Sequence, residues 1–194
     1  MTTPRPAASV ILLRGGREDL ELLLVRRNPA ARFMGGIWVF PGGAVDRDEG
    51  EGEPAHRAAA LRELREEAGI ELAGESSLVP FSRWITPAQV QTRFDTYFYL
   101  APAPTSATAQ VDGRECVEAR WLTPAGALAA HRQGEIALVF PTIKQLEQIS
   151  QFGSADELLA HSRGRAIVPV EPRVLGVGET LRVVLPGEPG YDDL

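Results

Sequence analysis

Residues 62 to 70 read Arg62-Glu63-Leu64-Arg65-Glu66-Glu67-Ala68-Gly69-Ile70. Glu63, Glu66 and Glu67 fall at i, i+3 and i+4, so on a helix they lie close together on one side. Like charges that close repel unless a cation joins them, and a hard divalent cation bound by oxygen ligands answers that need. Gly69 is a natural residue for the left-handed turn that ends a helix. The charge pattern also fits a solvated surface helix in which Arg62 and Glu66 form an i,i+4 pair, and pattern alone leaves both readings open.

Working outward, Ala58, Leu61, Leu64 and Ala68 recur at helical spacing. They predict a helix from about Pro54 to Ala68 with those residues toward the core and His56, Glu63, Glu66 and Glu67 toward a site or solvent. Pro54 suits the first turn, where a missing N–H costs nothing. Upstream, Ile37 to Phe40 predicts a short buried strand. Pro41-Gly42-Gly43 breaks it, and its glycines let backbone approach a ligand or metal closely.

These stretches resemble the Nudix box, Gx5Ex7REUxEExGU with U aliphatic. Arg62-Glu63-Leu64, Glu66-Glu67 and Gly69-Ile70 fill its second half, and Phe40-Pro41-Gly42-Gly43 is similar to the segment that opens it. The family hydrolyses nucleoside diphosphates linked to another group, using Mg2+ or Mn2+. The resemblance implies an α/β (α+β) Nudix fold, a mixed sheet between helices, here with additional C-terminal helices and strands. It implies catalytic and metal-binding roles for Glu63, Glu66 and Glu67, a backbone metal contact at Gly43, and structural roles for Gly69 and for Arg62, the latter paired with a box glutamate. The spacing departs from the pattern. Arg62 comes nineteen positions after Gly43, roughly five more than expected, so Asp46 to Pro54 contains an insertion, acidic, Gly-rich and read as a surface loop. Counted back from Arg62, the pattern's isolated glutamate falls on Pro54, and Glu53 is the nearest substitute.

The rest of the chain reads as a sheet protein with helices. Ser9–Arg14 and Leu20–Val25 form a hairpin around Gly15 to Asp19. Leu78–Ile85, with Pro80 at an edge or bulge, and Arg93–Leu100 are further strands. Arg93, Asp95 and Thr96 are candidates to reach a pocket. Ala101 to Asp112 reads as a flexible loop over which a substrate passes. Glu115–Leu122 is a strand, and Thr123-Pro124 caps a helix to about His131. By resemblance a carboxylate before Trp121 serves as a further ligand or as the base, with Glu115 the candidate and Glu118 second. Helices follow from Phe140 to about Phe152 and from a Ser154 cap through Ala160. Two strand-like runs flank Gly176-Val177-Gly178. The boundaries are a hydrolase domain over 8–150 and an extension over 151–194 packed on it.

The substrate is suggested by a second resemblance. Arg32, three residues, Gly36, three residues and Phe40-Pro41-Gly42-Gly43 are similar to the motif of Nudix enzymes that cleave coenzyme A, with Leu23-Leu24 and Arg27 in partial agreement and Asn28 and Ala31 departing. Trp84-Ile85-Thr86-Pro87, Arg93-Phe94-Asp95-Thr96 and the insertion look like the peroxisomal coenzyme A diphosphatase branch. This implies cleavage of coenzyme A or acyl-CoA to 3′,5′-ADP and (acyl-)phosphopantetheine. Arg27, Arg32, Phe40, Arg93 and Asp95 are the substrate-binding candidates. The alternatives are ADP-ribose, NADH, nucleotide sugars or modified nucleotides as substrate, or a non-catalytic ligand-binding protein.

Composition sets outer limits. The 194 residues are 44% hydrophobic, enough for a core, with a net charge of −6 that argues against a nucleic-acid polymer as partner. A small phosphorylated substrate remains compatible, because bound metal ions invert the local sign. No apolar run is long enough to span a membrane, and Met1 to Ala8 has no signal-peptide pattern. Cys116 is the single cysteine, so no intrachain disulfide forms, which fits a reducing cytoplasm. The final Asp192-Asp193-Leu194 carries no peroxisomal address. His56, His131 and His161 are too scattered for a zinc site. The later helices pack on the sheet or form a homodimer contact.

Overall fold

The computed structural model describes residues 2–16, 19–176 and 182–192. An eight-stranded mixed sheet runs through it in the order β3-β2-β1-β6-β5-β8, with β4 paired to β1 and β7 to β2. The strands are β1 (Arg5–Arg14), β2 (Glu21–Arg27), β3 (Trp38–Val39), β4 (Gly42–Ala44), β5 (Val79–Ile85), β6 (Phe94–Pro102), β7 (Cys116–Leu122) and β8 (Pro169–Val170). A separate hairpin joins β9 (Arg173–Leu175) to β10 (Arg182–Val184). The helices are α1 (Gly52–Ala68), α2 (Pro124–Arg132), α3 (Phe140–Ile149) and α4 (Ala155–Ser162).

β1 is central because its residues are apolar on both faces, as a strand covered on both sides requires. Ala8, Val10 and Leu12 join the core under α1, while Ile11 and Leu13 join the core under α2, α3 and α4. β2 divides the same way, Leu23 and Val25 against Leu22 and Leu24. The fold is therefore a mixed sheet between helical layers, of α+β class. β1 runs parallel to β6 from Arg5 to Leu13, pairs antiparallel with β4 at Ala7 to Ser9, and meets β2 at Leu13 and Arg14. That switch of partner brings the glycines of β4 beside α1.

Several expected bounds move. α1 begins at Gly52, two residues before Pro54, and ends on Gly69 in the left-handed conformation with φ 66°. Its buried face is Ala55, His56, Ala59, Ala60, Glu63, Leu64, Glu67 and Ala68. Ala58 and Leu61 are only partly covered, so the stripe is rotated from the one expected. His56 is buried rather than solvent-facing: its Nδ1 lies 2.8 Å from the Gly52 carbonyl and its ring packs on Tyr97. Thr123 and Ser154 cap α2 and α4 through their hydroxyls, which accept from the Gly126 and Glu157 N–H groups. α3 stops at Ile149, short of Phe152, and α4 runs past Ala160 to Ser162. Pro80 sits where the β5–β6 register shifts, the bulge that a missing N–H favours.

The segment after β6 is not a loose crossing. The Gln110 N–H donates to the Ala68 carbonyl at 2.8 Å, and Ala107, Ala109 and Val111 pack on the core beneath α1. Of the hairpin turn, Arg17 and Glu18 lie outside the described residues, as do Val177 and Gly178 of the tail and the terminal Asp193 and Leu194. β8 pairs with β5, and Ala155, Leu158 and Leu159 of α4 join the same core as α2 and α3. Among the described residues no helix is long and apolar enough to cross a membrane.

Candidate active site

Glu63 and Glu67 are one turn apart on the buried face of α1 and line a cavity of about 540 Å3. They are 9% and 2% exposed. Glu66, between them in sequence, turns the other way, with half of its side chain in solvent at 52%. The three expected ligands are thus separated: two carboxylates face the cavity and one faces water.

β4 forms the floor beside them. The Gly42 N–H donates to Glu67 Oε2 at 2.9 Å. A Cβ at Gly43 would lie 2.2 Å from Glu63 Oε1, so only glycine lets the strand and this carboxylate sit together. At Gly42 a Cβ would meet the Ala8 carbonyl oxygen at 2.4 Å, which explains the second glycine.

Burial, foremost, pushes the Glu67 carboxyl up to about 7, against the Gly42 N–H, and the neighbouring Glu63 charge adds to the rise. Glu63 is also raised, again chiefly by burial, with Arg62 opposing. Glu67 Oε1 is buried with no hydrogen-bond partner, and Arg27 Nη1 stands 3.7 Å away. Arg27 Nε is likewise buried and unpartnered. Arg27 and Glu67, both of which line the cavity, thus form a long ion pair that leaves hydrogen-bonding capacity unused on each partner.

This donor set suits a hard divalent cation: buried carboxylate oxygens and a backbone segment that approaches without side-chain obstruction. Among the described residues no three His, Cys, Asp or Glu side chains already form a cage. Mg2+ does not require one, since it keeps several waters and uses one or two carboxylates together with substrate phosphates. Glu63 and Glu67 are the residues that would hold it, beside the Gly43 backbone.

Arg62 braces the site from behind. It donates from Nη1 to Glu63 Oε1 at 2.7 Å and to Glu66 Oε2 at 3.2 Å, and from Nη2 to the Ala44 carbonyl at 2.9 Å. Its Nε donates to Glu49 Oε1 at 2.9 Å. Glu49 lies at the end of a short 3-10 turn over Arg47–Glu49. Glu53, the expected substitute for the isolated glutamate, instead accepts from Arg57 one turn along α1. Counting forward from Gly43 through five residues lands on Glu49. The insertion therefore lies between Glu49 and Arg62, and Glu49 rather than Glu53 stands at the position of the isolated glutamate.

The other candidates divide. Arg27, Phe40, Thr96 and Glu115 line the cavity. Glu115 lies in the segment leading into β7, its N–H held by the Asp112 carboxylate, and its charge is felt at Glu63. Arg32 is exposed and is not on the cavity wall. Arg93 is buried and fully engaged, donating to the Thr86 and Thr2 carbonyls and to Glu171. Asp95 accepts two bonds from Arg83, at 2.8 and 2.6 Å. Both therefore tie strands and tail together rather than reaching the cavity. Glu118 pairs with Arg26 and Arg120, away from it. Arg5, Phe33, Met34, Val90 and Phe94 line the cavity and were not singled out from the sequence. Phe33, Met34 and Val90 carry a weak signal in sequence, since lone apolar side chains in loops are common on surfaces.

The chain is similar to known proteins. The NUDIX domain family model matches residues 3–140. A Caenorhabditis elegans protein provisionally named nudix hydrolase 7 is 28% identical over 225 residues, covering 97% of this chain and 75% of that protein. The CTP pyrophosphohydrolase of Escherichia coli strain K12 is 47% identical over 53 residues, 27% of this chain and 35% of that enzyme. Among solved structures, a NUDIX hydrolase from Alicyclobacillus acidocaldarius superposes with a TM-score of 0.75 at 26% identity, covering 86% of this chain and 100% of that one. The NUDIX domain of Shewanella oneidensis NrtR, solved with ADP ribose, superposes with a TM-score of 0.60 at 19% identity over 78% of this chain and 89% of its own, a likeness of fold.

Proposed function

Because this chain belongs to the Nudix family, hydrolases of pyrophosphate bonds, we propose that it is a Mg2+- or Mn2+-dependent diphosphatase of a small nucleotide-type substrate, with coenzyme A or acyl-CoA preferred. The observation that carries the reading is the convergence on one cavity wall of the buried Glu63 and Glu67 carboxylates and the Arg27 guanidinium, whose Nη1 stands 3.7 Å from Glu67 Oε1. A metal–phosphate pair completes both groups at once: the carboxylate meets the cation and the guanidinium meets an anionic oxygen.

Bound divalent metal supplies charge neutralisation at the diphosphate and a more acidic water. The chain's own groups do the rest. Glu63 and Glu67 hold the centre in place, and Arg62 fixes the position of Glu63. Arg27 orients a phosphate oxygen. Glu115 takes the proton of the attacking water. The water oxygen bonds to phosphorus, one phosphoanhydride P–O bond breaks, and the leaving phosphate carries the electron pair. With coenzyme A the products are 3′,5′-ADP and phosphopantetheine. The substrate preference is supported by the spacing of Arg32, Gly36 and Phe40 to Gly43 together with Arg27. Of these, Arg27 and Phe40 lie on the cavity wall.

The test is a panel of coenzyme A, acyl-CoA, ADP-ribose, NADH, nucleotide sugars and modified nucleotides, each with Mg2+ and with Mn2+, read by product identity. The expected result is metal-dependent formation of 3′,5′-ADP from coenzyme A or its thioesters at the highest kcat/KM. Turnover confined to another substrate removes the coenzyme A assignment. Tight ligand binding without turnover of anything removes the catalytic reading.

A further inference from the structure

The cavity has a second wall unlike the first. Phe33, Met34 and Val90 are 41%, 37% and 39% exposed, and all three line the cavity that holds Glu63 and Glu67. Large apolar side chains left open to water, gathered at one cavity, mark a surface that a ligand covers. Phe94 completes the wall, its ring centroid 5.9 Å from that of Phe33.

The loop that carries this wall is built rather than loose. Met34 has φ 54°, the one non-glycine residue with positive φ among those described. Such backbone persists only where its surroundings over-determine it, and it concentrates at ligand sites. A Cβ at Gly35 would lie 2.6 Å from the Pro29 carbonyl oxygen, so the loop folds tightly on itself. The Gly36 N–H donates to the Arg27 carbonyl at 3.1 Å. Asn28 ties the loop's base to the segment bearing Glu115: its N–H donates to the Glu115 carbonyl, and its Nδ2 to the Arg114 carbonyl, both at 2.8 Å. Its Oδ1 accepts from the Ala30 N–H at 2.9 Å. Asn28 departs from the commoner residue of the coenzyme A motif, and these three bonds show what it does here.

We propose that Phe33, Met34, Val90 and Phe94 form a specificity wall for a hydrocarbon arm attached to the diphosphate substrate. The inference rests on the diphosphatase reading and deepens it. A flat base is a poorer fit than a chain. The Phe33 and Phe94 rings meet at 48° and already touch, leaving no parallel slot between them. The Met34 thioether adapts to an irregular apolar shape.

The experiment measures kcat/KM for two homologous series with Mg2+: straight-chain acyl-CoA thioesters, and ADP esterified on its terminal phosphate with straight-chain alcohols. In the wild type, kcat/KM is expected to rise about two- to fourfold per methylene over the first several carbons. The double variant Phe33→Ser, Met34→Gly should flatten both slopes, losing most kcat/KM at the longest chains. Glycine suits φ 54°, so the variant keeps its fold. Phe33→Leu should retain the slope. A flat wild-type series, or an equal slope in the double variant, overturns the proposal. Cleavage of the ADP esters with a chain-length slope, without cleavage of coenzyme A thioesters, keeps the wall and removes the coenzyme A reading. Cleavage of the thioesters at one rate for all chain lengths does the reverse. If nothing is turned over, the same slopes are read in Kd for the ADP esters, and a flat series there also overturns the wall. A concentration-dependent dimer abolished by the double variant, with no change in chain-length slope, assigns these side chains to a subunit contact and overturns it.

Discussion

Arg62 donates to Glu49 at 2.9 Å across an insertion, joining a loop residue to the helix that bears the buried carboxylates. The same guanidinium holds Glu63 and the Ala44 carbonyl, so loop, helix and glycine strand share one cation. Glu49→Ala removes a partly buried, charge-assisted bond. It should cost about 1–3 kcal/mol of stability and lower kcat by releasing Arg62 from its position. Glu53→Ala, which breaks only an exposed helix pair, should stay within about 0.5 kcal/mol of wild type. Thermal unfolding and steady-state assays of the two variants check this, and equal effects would remove the role given to Glu49.

Glu67→Gln keeps the shape of the side chain and removes its charge. It should reduce metal-dependent turnover by at least about a hundredfold, in keeping with losses seen when metal-centre groups are removed. The metal-free protein should be no less stable, because a buried charge has gone. A folded variant with wild-type turnover would refute the metal-site assignment.

Stability of the metal-free protein should depend on pH in a direction opposite to that of a salt-bridged carboxylate. Glu67 stands at about 7 in the folded chain against an ordinary 4.5. Between those values the folded state binds more protons than the unfolded state, so stability falls as pH rises from about 4.5 to 7. The fall from this one group is roughly 3 kcal/mol at most. Saturating Mg2+ or Mn2+ should shrink it, and metal affinity should strengthen as pH rises through 7, since a deprotonated carboxylate is the ligand. Unfolding temperature against pH, with and without metal, measures both.

Gly43→Ala should separate activity from folding. Its Cβ would meet the end of the Glu63 side chain rather than backbone. The carboxylate gives way and the strand survives, so turnover should fall more than tenfold while the unfolding temperature moves by only a few degrees. An unchanged kcat would show that Glu63 need not sit against the strand.

Arg27 and Arg93 should respond differently to truncation. Arg93 binds the Thr86 and Thr2 carbonyls and Glu171, so Arg93→Met should cost about 1–3 kcal/mol by removing three bonds from a buried guanidinium. Arg27→Met should raise KM with a smaller loss of stability, because the one ion pair it loses, to Glu67, is long at 3.7 Å. Unfolding and kinetic measurements on the pair distinguish the two roles.

The sequence by itself determined the acidic helix and its stop at Gly69, the glycine strand, the capped α2 and α4, and the family to which they belong. Those features rest on local spacing and local backbone preference, which a chain carries wherever it folds. It did not determine which of three neighbouring glutamates would face water. That depends on a rotation of α1 set by which alanines meet the sheet, and Ala59 and Ala60, rather than Ala58 and Leu61, are the ones fully buried. Nor did it decide the partner of Arg62, because counting residues across an insertion gives no distance in space. Tertiary structure alone moved Arg93 and Asp95 into strand and tail contacts and brought Phe33, Met34 and Val90 to one cavity. These are long-range packing outcomes, governed by how whole elements meet rather than by the residues beside them.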